Sequence, residues 1–195
     1  MYFMYRIDQT HFSQIEMKHS KFMAFLVPIG DFDRLHERLK GEHPKASHIV
    51  WAKRYLNVHE QVVEDSSDDG EPKGCAGKPV LRVMQGADLI ECGILVVRYF
   101  GGIKLGTGGM VRAYGEAAKA VIESAECFPY EKEATVTFFT PYADVSRWEY
   151  LIGQNEGIEI EKEFDEKGCH WKITAPMTTI ERLKELLSKR RIEFR

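Results

Sequence analysis

The chain has 195 residues, 44% hydrophobic and 29% charged, with a formal net charge of −3. This is ordinary globular composition, long enough for one large domain or two small ones. It excludes a polycation that holds nucleic acid by its overall field, so any RNA contact has to be a local patch.

In chain order, Tyr2–Ile7 and Ser13–Met17 alternate apolar and polar residues and read as short strands, and Lys21–Ile29 as a more buried one. Asp31 is the expected N-cap of a helix whose apolar positions are Phe32, Leu35 and Leu39 and which stops near Gly41–Pro44. His48–Val58 reads as a strand, with Gln61–Glu64 able to pair with it. An acidic loop, 65–77, follows, and Pro79 suits the first turn of a helix running to about Gln85. Leu89–Tyr99 is predicted to be a strand covered on both faces, because Ile94–Val97 has no polar break. A glycine-rich loop leads into a helix from Gly108 to Glu126, and Cys127–Tyr130 reads as a linker. Gly115 inside that helix costs roughly 1 kcal/mol against alanine, and close packing at that point is the expected reason.

The pattern then restarts: strand Ala134–Phe139, helix Ala143–Gln154, strands Ile158–Phe164 and Cys169–Ala175, helix Met177–Lys189, and an extended piece Ile192–Phe194. Turn residues stand at 154–157 and 165–168. The expected fold class is α+β with two domains, 1–130 and 131–195, the second a ferredoxin-like sandwich. Cys75, Cys92, Cys127 and Cys169 form no CxxC pair and fit no zinc spacing. With no signal peptide and no apolar run near the ~20 residues of a membrane span, the expected location is a reducing cytoplasm.

Two segments carry chemistry. Between Arg98-Tyr99-Phe100 and the following helix, Gly101, Gly102, Gly106, Gly108 and Gly109 fall within nine residues, interleaved with Lys104 and Thr107. Glycines permit positive φ or close approach, and the helix behind them opens with unpaired N–H groups that attract anions. Arg98, Lys104 and Arg112 add positive charge. The plainer alternative is a tight turn with no ligand. GxxxxGK[ST] is absent, because Lys104 precedes the last glycines. In the acidic loop, Asp68, Asp69 and Glu71 beside Gly77 could hold Mg²⁺ near a phosphate, or could cap backbone N–H groups. His48 could line the edge of a cleft, or be a hydrogen-bonded structural histidine. The basic tail of Lys184, Lys189, Arg190, Arg191 and Arg195 could touch RNA phosphates, or lie solvated at a helix C-terminus.

The segments Ser67–Pro72, Ala76–Pro79 and Arg98–Ala118, in that order, resemble the IMPACT/YigZ family over essentially the whole chain. His48-Ile49-Val50-Trp51-Ala52 is similar to its shorter histidine motif, with Val50 where that motif has a more polar or cysteine-like residue. The resemblance implies a first domain like one shared by a ribosomal protein, elongation factor G and small-molecule kinases. It implies a second like the C-terminal domain of elongation factor G. Eukaryotic members act by binding a ribosome-associated activator of a stress kinase, whereas the bacterial branch lacks the eukaryotic partner-binding module.

The leading expectation is a non-enzymatic, translation-linked protein that binds RNA, the ribosome or a translation-regulatory protein. The anion or partner site is expected at His48, Asp68, Asp69, Glu71, Gly77, Arg98, Tyr99, Gly101, Gly102, Lys104, Gly106, Thr107, Gly108, Gly109 and Arg112. No catalytic residue, metal, cofactor, membrane contact or DNA-sequence recognition is expected. The alternative is a phosphate- or nucleotide-binding enzyme using the glycine-rich loop and the acidic loop; on either reading the two loops are expected to line one concave surface that an anion occupies.

Overall fold

A computed structural model describes residues 4–154 and 157–195. Predicted positions 2, 3, 155 and 156 therefore lie outside the described residues. Contacts divide the chain into one unit running to Tyr130 and a second from Glu131 to Arg195.

In the first unit the described elements are β1 (Tyr5–Arg6), β2 (His11–Met17), β3 (Ser20–Pro28), α1 (Phe32–Glu42), β4 (His48–Leu56), β5 (Val62–Ser67), α2 (Gly77–Gly86), β6 (Cys92–Tyr99), α3 (Gly106–Glu123) and β7 (Phe128–Pro129). An antiparallel sheet has the order β2-β3-β6-β4-β5. Because β6 is central, its apolar run is buried on both faces. Val96, Ile94 and Cys92 pack with α2 and α3, while Val97 and Leu95 pack with Phe32, Leu35 and Leu39 of α1. The unit is thus three layers, with the sheet between α1 and the α2/α3 pair.

Several expectations need correction. Asp31 makes no side-chain cap; its carboxylate accepts a hydrogen bond from Arg34 instead, at 2.7 Å. Leu89 and Ile90 are not in β6, since Asp88 and Glu91 take positive φ and turn the chain there. The supposed linker contains β7, which pairs antiparallel with β1. Asp65, Ser66 and Ser67 extend β5 rather than opening a loop, because each is paired with β4. The last helix begins two residues before Gly108 and ends three before Glu126. Inside it a Cβ on Gly115 would meet nothing within 4 Å, so close packing does not account for that glycine.

The second unit runs β8 (Glu133–Pro141), α4 (Tyr142–Ile152), β9 (Glu159–Phe164), β10 (Gly168–Pro176) and α5 (Met177–Lys189). Its antiparallel sheet has the order β8-β10-β9, and Phe194 bridges to Phe138 on the free side of β8. This is the strand arrangement of a ferredoxin-like α+β sandwich. Trp148, Ile152, Trp171, Ile173, Ile180 and Leu187 form its core, and the Trp171 indole N–H donates to Thr140 Oγ1 at 2.8 Å.

Candidate functional site

The site grows from the register of the central strands. His48 of β4 and Phe22 of β3 both stand opposite Arg98 of β6. Directly opposed residues project to the same face, so Phe22, Arg98 and His48 form a row beneath α3. Arg98 is 6% exposed and its guanidinium lies 5.6 Å from the Phe22 ring and 5.8 Å from the Phe100 ring.

Glu71, 8% exposed, reaches into this row from the acidic loop. Its Oε1 accepts hydrogen bonds from Arg98 Nη1 and, at 2.8 Å, from the Tyr114 hydroxyl of α3. A buried ion pair survives only with such added hydrogen bonds, because desolvation otherwise exceeds the attraction. Burial and the neighbouring Glu71 charge both push the Tyr114 hydroxyl up, so it stays a proton donor. Glu71 Oε2 accepts no hydrogen bond among the described residues; it faces His48 Nε2 at 3.9 Å. His48 is oriented from its other side, where Nδ1 lies 2.6 Å from the Asp69 carbonyl oxygen.

Asp68 and Asp69 are spent on the backbone. Gly74 N–H donates to Asp68 Oδ2 at 2.6 Å, and the N–H groups of Ala76 and Gly77 donate to Oδ1 at 3.1 and 2.8 Å. Asp68 thereby caps the start of α2 from outside the helix. Burial opposes its charge, but these three donors and Lys78 outweigh burial and hold the carboxyl below its ordinary value. Asp69 Oδ2 accepts from Ile49 N–H at 2.6 Å, tying the loop to β4. The proposed Mg²⁺ trio is therefore not assembled, and no group of three metal-ligating side chains occurs among the described residues.

Above the Arg98–Glu71 pair lies a cavity of about 550 Å³. Both loops contribute to it: Glu71 and Pro72 from the acidic loop, and Phe100, Lys104, Leu105, Gly106 and Thr107 from the glycine loop and the head of α3. His48, Arg98, Ser47 and Met110 complete the lining. Lys104 has no ion pair or hydrogen bond among the described residues, and the first-turn N–H groups of α3 have no intrahelical acceptor. A second cavity, of about 690 Å³, belongs to the other unit. Although it is larger, its walls set Glu161, Glu163 and Glu193 against Lys162, Lys172, Arg195 and His170, so both charge signs are mixed there. In the basic tail, Lys184 sits over the Phe194 ring at 5.9 Å, and Arg195 pairs its backbone with Thr137.

The remaining expected residues separate from the cavity. Tyr99 follows Arg98 on a strand and so faces the opposite side, where its hydroxyl meets His43 Nδ1 at 2.8 Å. Arg112 stands exposed on α3 outside the lining. Much of the glycine excess is packing rather than ligand approach. A Cβ on Gly101 would lie 2.0 Å from the His19 carbonyl carbon, and one on Gly77 would lie 2.7 Å from the Ser67 oxygen. Gly102 and Gly106 have positive φ, a Cβ on Gly109 would crowd Leu105 at 3.1 Å, and one on Gly108 would meet nothing within 4 Å.

Sequence reasoning missed Tyr114, Phe100, Pro72, Leu105 and Met110. Tyr114 had a signal: it is the one residue with a polar tip on the stripe Met110, Ala113, Tyr114, Ala117, Ala118 and Val121. A buried tyrosine hydroxyl needs a partner, and the partner here is Glu71.

Residues 18–122 match the Impact N-terminal domain. The chain is 42% identical to an IMPACT family member of Haemophilus influenzae over 57% of its own length, and it spans 55% of that relative. It is 33% identical to the IMPACT family member YigZ of Escherichia coli, over 76% of this chain and 74% of that one. A crystal structure described only as that of a hypothetical protein superposes with a TM-score of 0.67 at 26% identity, covering 100% of this chain and 97% of the other. With the domain match covering more than half its residues, the chain belongs to the IMPACT family.

Proposed function

We propose that this chain is a non-enzymatic, translation-linked binding protein of the cytoplasm. Its first unit takes an anionic group of an RNA or ribosomal partner into the cavity at the head of α3. The observation that carries this reading is the unpaired Lys104 beside the open N-terminus of α3, on the rim of a cavity whose floor is the buried Arg98. A helix N-terminus and a free ammonium make a phosphate site without a global positive field. The link to translation rests on family membership and on the elongation-factor-like character that the family resemblance implies for the second unit. The ligand is bound rather than turned over, because Asp68 and Asp69 are committed to the backbone and Glu71 to Arg98 and Tyr114.

Ribosome co-sedimentation of the full chain at moderate salt tests the reading. The wild-type protein is expected in the ribosomal fraction, released as salt rises. Lys104→Ala is expected to weaken this association about tenfold, the worth of one charge-assisted contact in a partly exposed site. Its melting temperature should stay unchanged, since Lys104 makes no partner contact among the described residues. Wild-type protein found only in the free fraction at every salt concentration refutes the proposal.

A further inference from the structure

The sheet of the second unit is closed at one end and open at the other. On the far side of β8 the chain itself covers the edge: Phe194 bridges to Phe138, and Arg195 and Thr137 exchange backbone hydrogen bonds at 2.8 and 2.9 Å. At the opposite end β9 pairs only with β10 among the described residues. All six residues of β9 are exposed, and its register runs from Glu159 to Phe164 without a bulge or a proline. Alternate residues of such an edge turn their N–H and C=O groups outward, a template for another strand. The two faces of β9 differ in chemistry. Ile160, Lys162 and Phe164 stand opposite the buried Ile173, Trp171 and Cys169, so they share the helix-covered face. Ile160 and Phe164 are nevertheless 41% and 53% exposed, and the exposed Tyr142 of α4 stacks on Phe164 at 6.2 Å, which extends the apolar strip. An inward-facing lysine ordinarily guards an edge against pairing. Here Lys162 is neutralised by Glu149 at 2.6 Å and lies over the Trp171 ring at 5.6 Å. On the other face stand Glu159, Glu161 and Glu163, opposite Thr174, Lys172 and His170. Among the described residues only Glu161 of the three is paired, with Lys172 at 2.7 Å.

We propose that β9 docks an extended segment of a protein partner, added as a further strand, in which apolar residues alternate with lysine or arginine. Its apolar side chains lie beside Ile160 and Phe164, and its cations face the unpaired Glu159 and Glu163. Main-chain pairing supplies the affinity of such an addition, and the alternating side chains supply its specificity. Charge selects this occupant over two others. A second copy adding through its own β9 about a two-fold axis keeps both helix layers on one side of the joined sheet, and so sets glutamate directly against glutamate, which destabilises the pairing. An RNA strand would bring its phosphates to a face carrying three carboxylates. The surface belongs to the second unit and is independent of the anion site in the first.

Fluorescence anisotropy of a labelled octapeptide of alternating lysine and valine, titrated with the full chain, tests the proposal. Two control peptides are each expected to bind at least about tenfold more weakly. One carries the same residues as a block of lysines followed by a block of valines, and so lacks two distinct faces. The other has proline at its two central valines, which removes ladder donors. Hydrogen exchange is expected to show new protection at the outward amides of β9 when the alternating peptide binds. Glu159→Lys/Glu163→Lys alters two exposed side chains and should leave the fold intact. This double variant is expected to bind the lysine–valine peptide about tenfold more weakly and to accept a glutamate–valine counterpart that the wild-type chain rejects. Equal binding of the block or proline peptide, or protection that falls elsewhere than β9, overturns the strand addition. Undiminished binding of the lysine–valine peptide by the double variant overturns the charge selection and the proposal with it. So does the absence of binding by that peptide up to the millimolar range. Dimerisation of the peptide-free chain that protects the β9 amides gives the edge to a second copy, and protection of those amides by a single-stranded RNA oligonucleotide gives it to RNA; either result overturns the assignment.

Discussion

Glu71→Ala removes the carboxylate that, among the described residues, pairs with the buried Arg98 guanidinium. The Arg98 and Glu71 side chains are 7% and 4% exposed, so solvent does little to screen the charge left behind. Breaking a buried pair by deleting one partner costs about 3–5 kcal/mol, because the survivor stays desolvated and uncompensated. Arg98 is poorly placed to recover, since its Nε already has no hydrogen-bond partner among the described residues. The Tyr114 hydroxyl loses its acceptor as well, which adds roughly 1 kcal/mol. For a chain of this size, each kcal/mol moves the melting temperature about 2–4 °C, so the combined loss of about 4–6 kcal/mol is expected to lower it by about 8–24 °C. Hydrogen exchange reads the effect unit by unit: protection should drop at the amides of β6 and α3 and hold at those of β8 and β10. The double variant Glu71→Ala/Arg98→Met should regain most of the loss, since an apolar side chain of similar length replaces the orphaned charge. A change below about 1 kcal/mol, no larger than that of an average substitution, would refute the idea that this pair holds the acidic loop to the sheet.

Three further outcomes follow from the geometry. Gly101→Ala should destabilise the first unit by more than about 3 kcal/mol, because its Cβ would enter the His19–Ser20 backbone at 2.0–2.4 Å, whereas Gly108→Ala, open within 4 Å inside α3, should stabilise by about 0.5–1 kcal/mol; urea midpoints compare the two. The folded Asp68 carboxyl titrates below its unfolded value, so its contribution is complete above the ordinary aspartate value of about 3.9 and disappears as pH falls through the folded value; Asp68→Asn should flatten the acid limb of a stability–pH curve below about pH 4 and leave its shape near neutrality unchanged. Thr140→Val strands the buried Trp171 indole N–H and should cost the second unit about 1–3 kcal/mol, read as an earlier unfolding of the β8 and β10 amides.

Local pattern determined much of this protein. Alternation and 3.6-residue spacing located β3, β4, α1 and the helices of the second unit to within a few residues, because those periods are imposed by backbone geometry on whichever face is buried. The unbroken run Ile94–Val97 announced a strand covered on both sides, and the dense glycines announced a constrained loop before α3. What each glycine does was decided elsewhere: Gly101 is glycine because the His19 backbone, distant in sequence, passes beneath it. The carboxylates divide the same way. Asp68, Asp69 and Glu71 look alike in a string, yet two cap backbone and one pairs with Arg98, a division set by which atoms the fold brings within 3 Å. The site itself joins His48, Glu71, Arg98 and Tyr114 from four elements. Sequence spacing carries no information about such contacts, because cross-strand register and the packing of α3 onto the sheet are fixed only when the two faces of β6 find their cores.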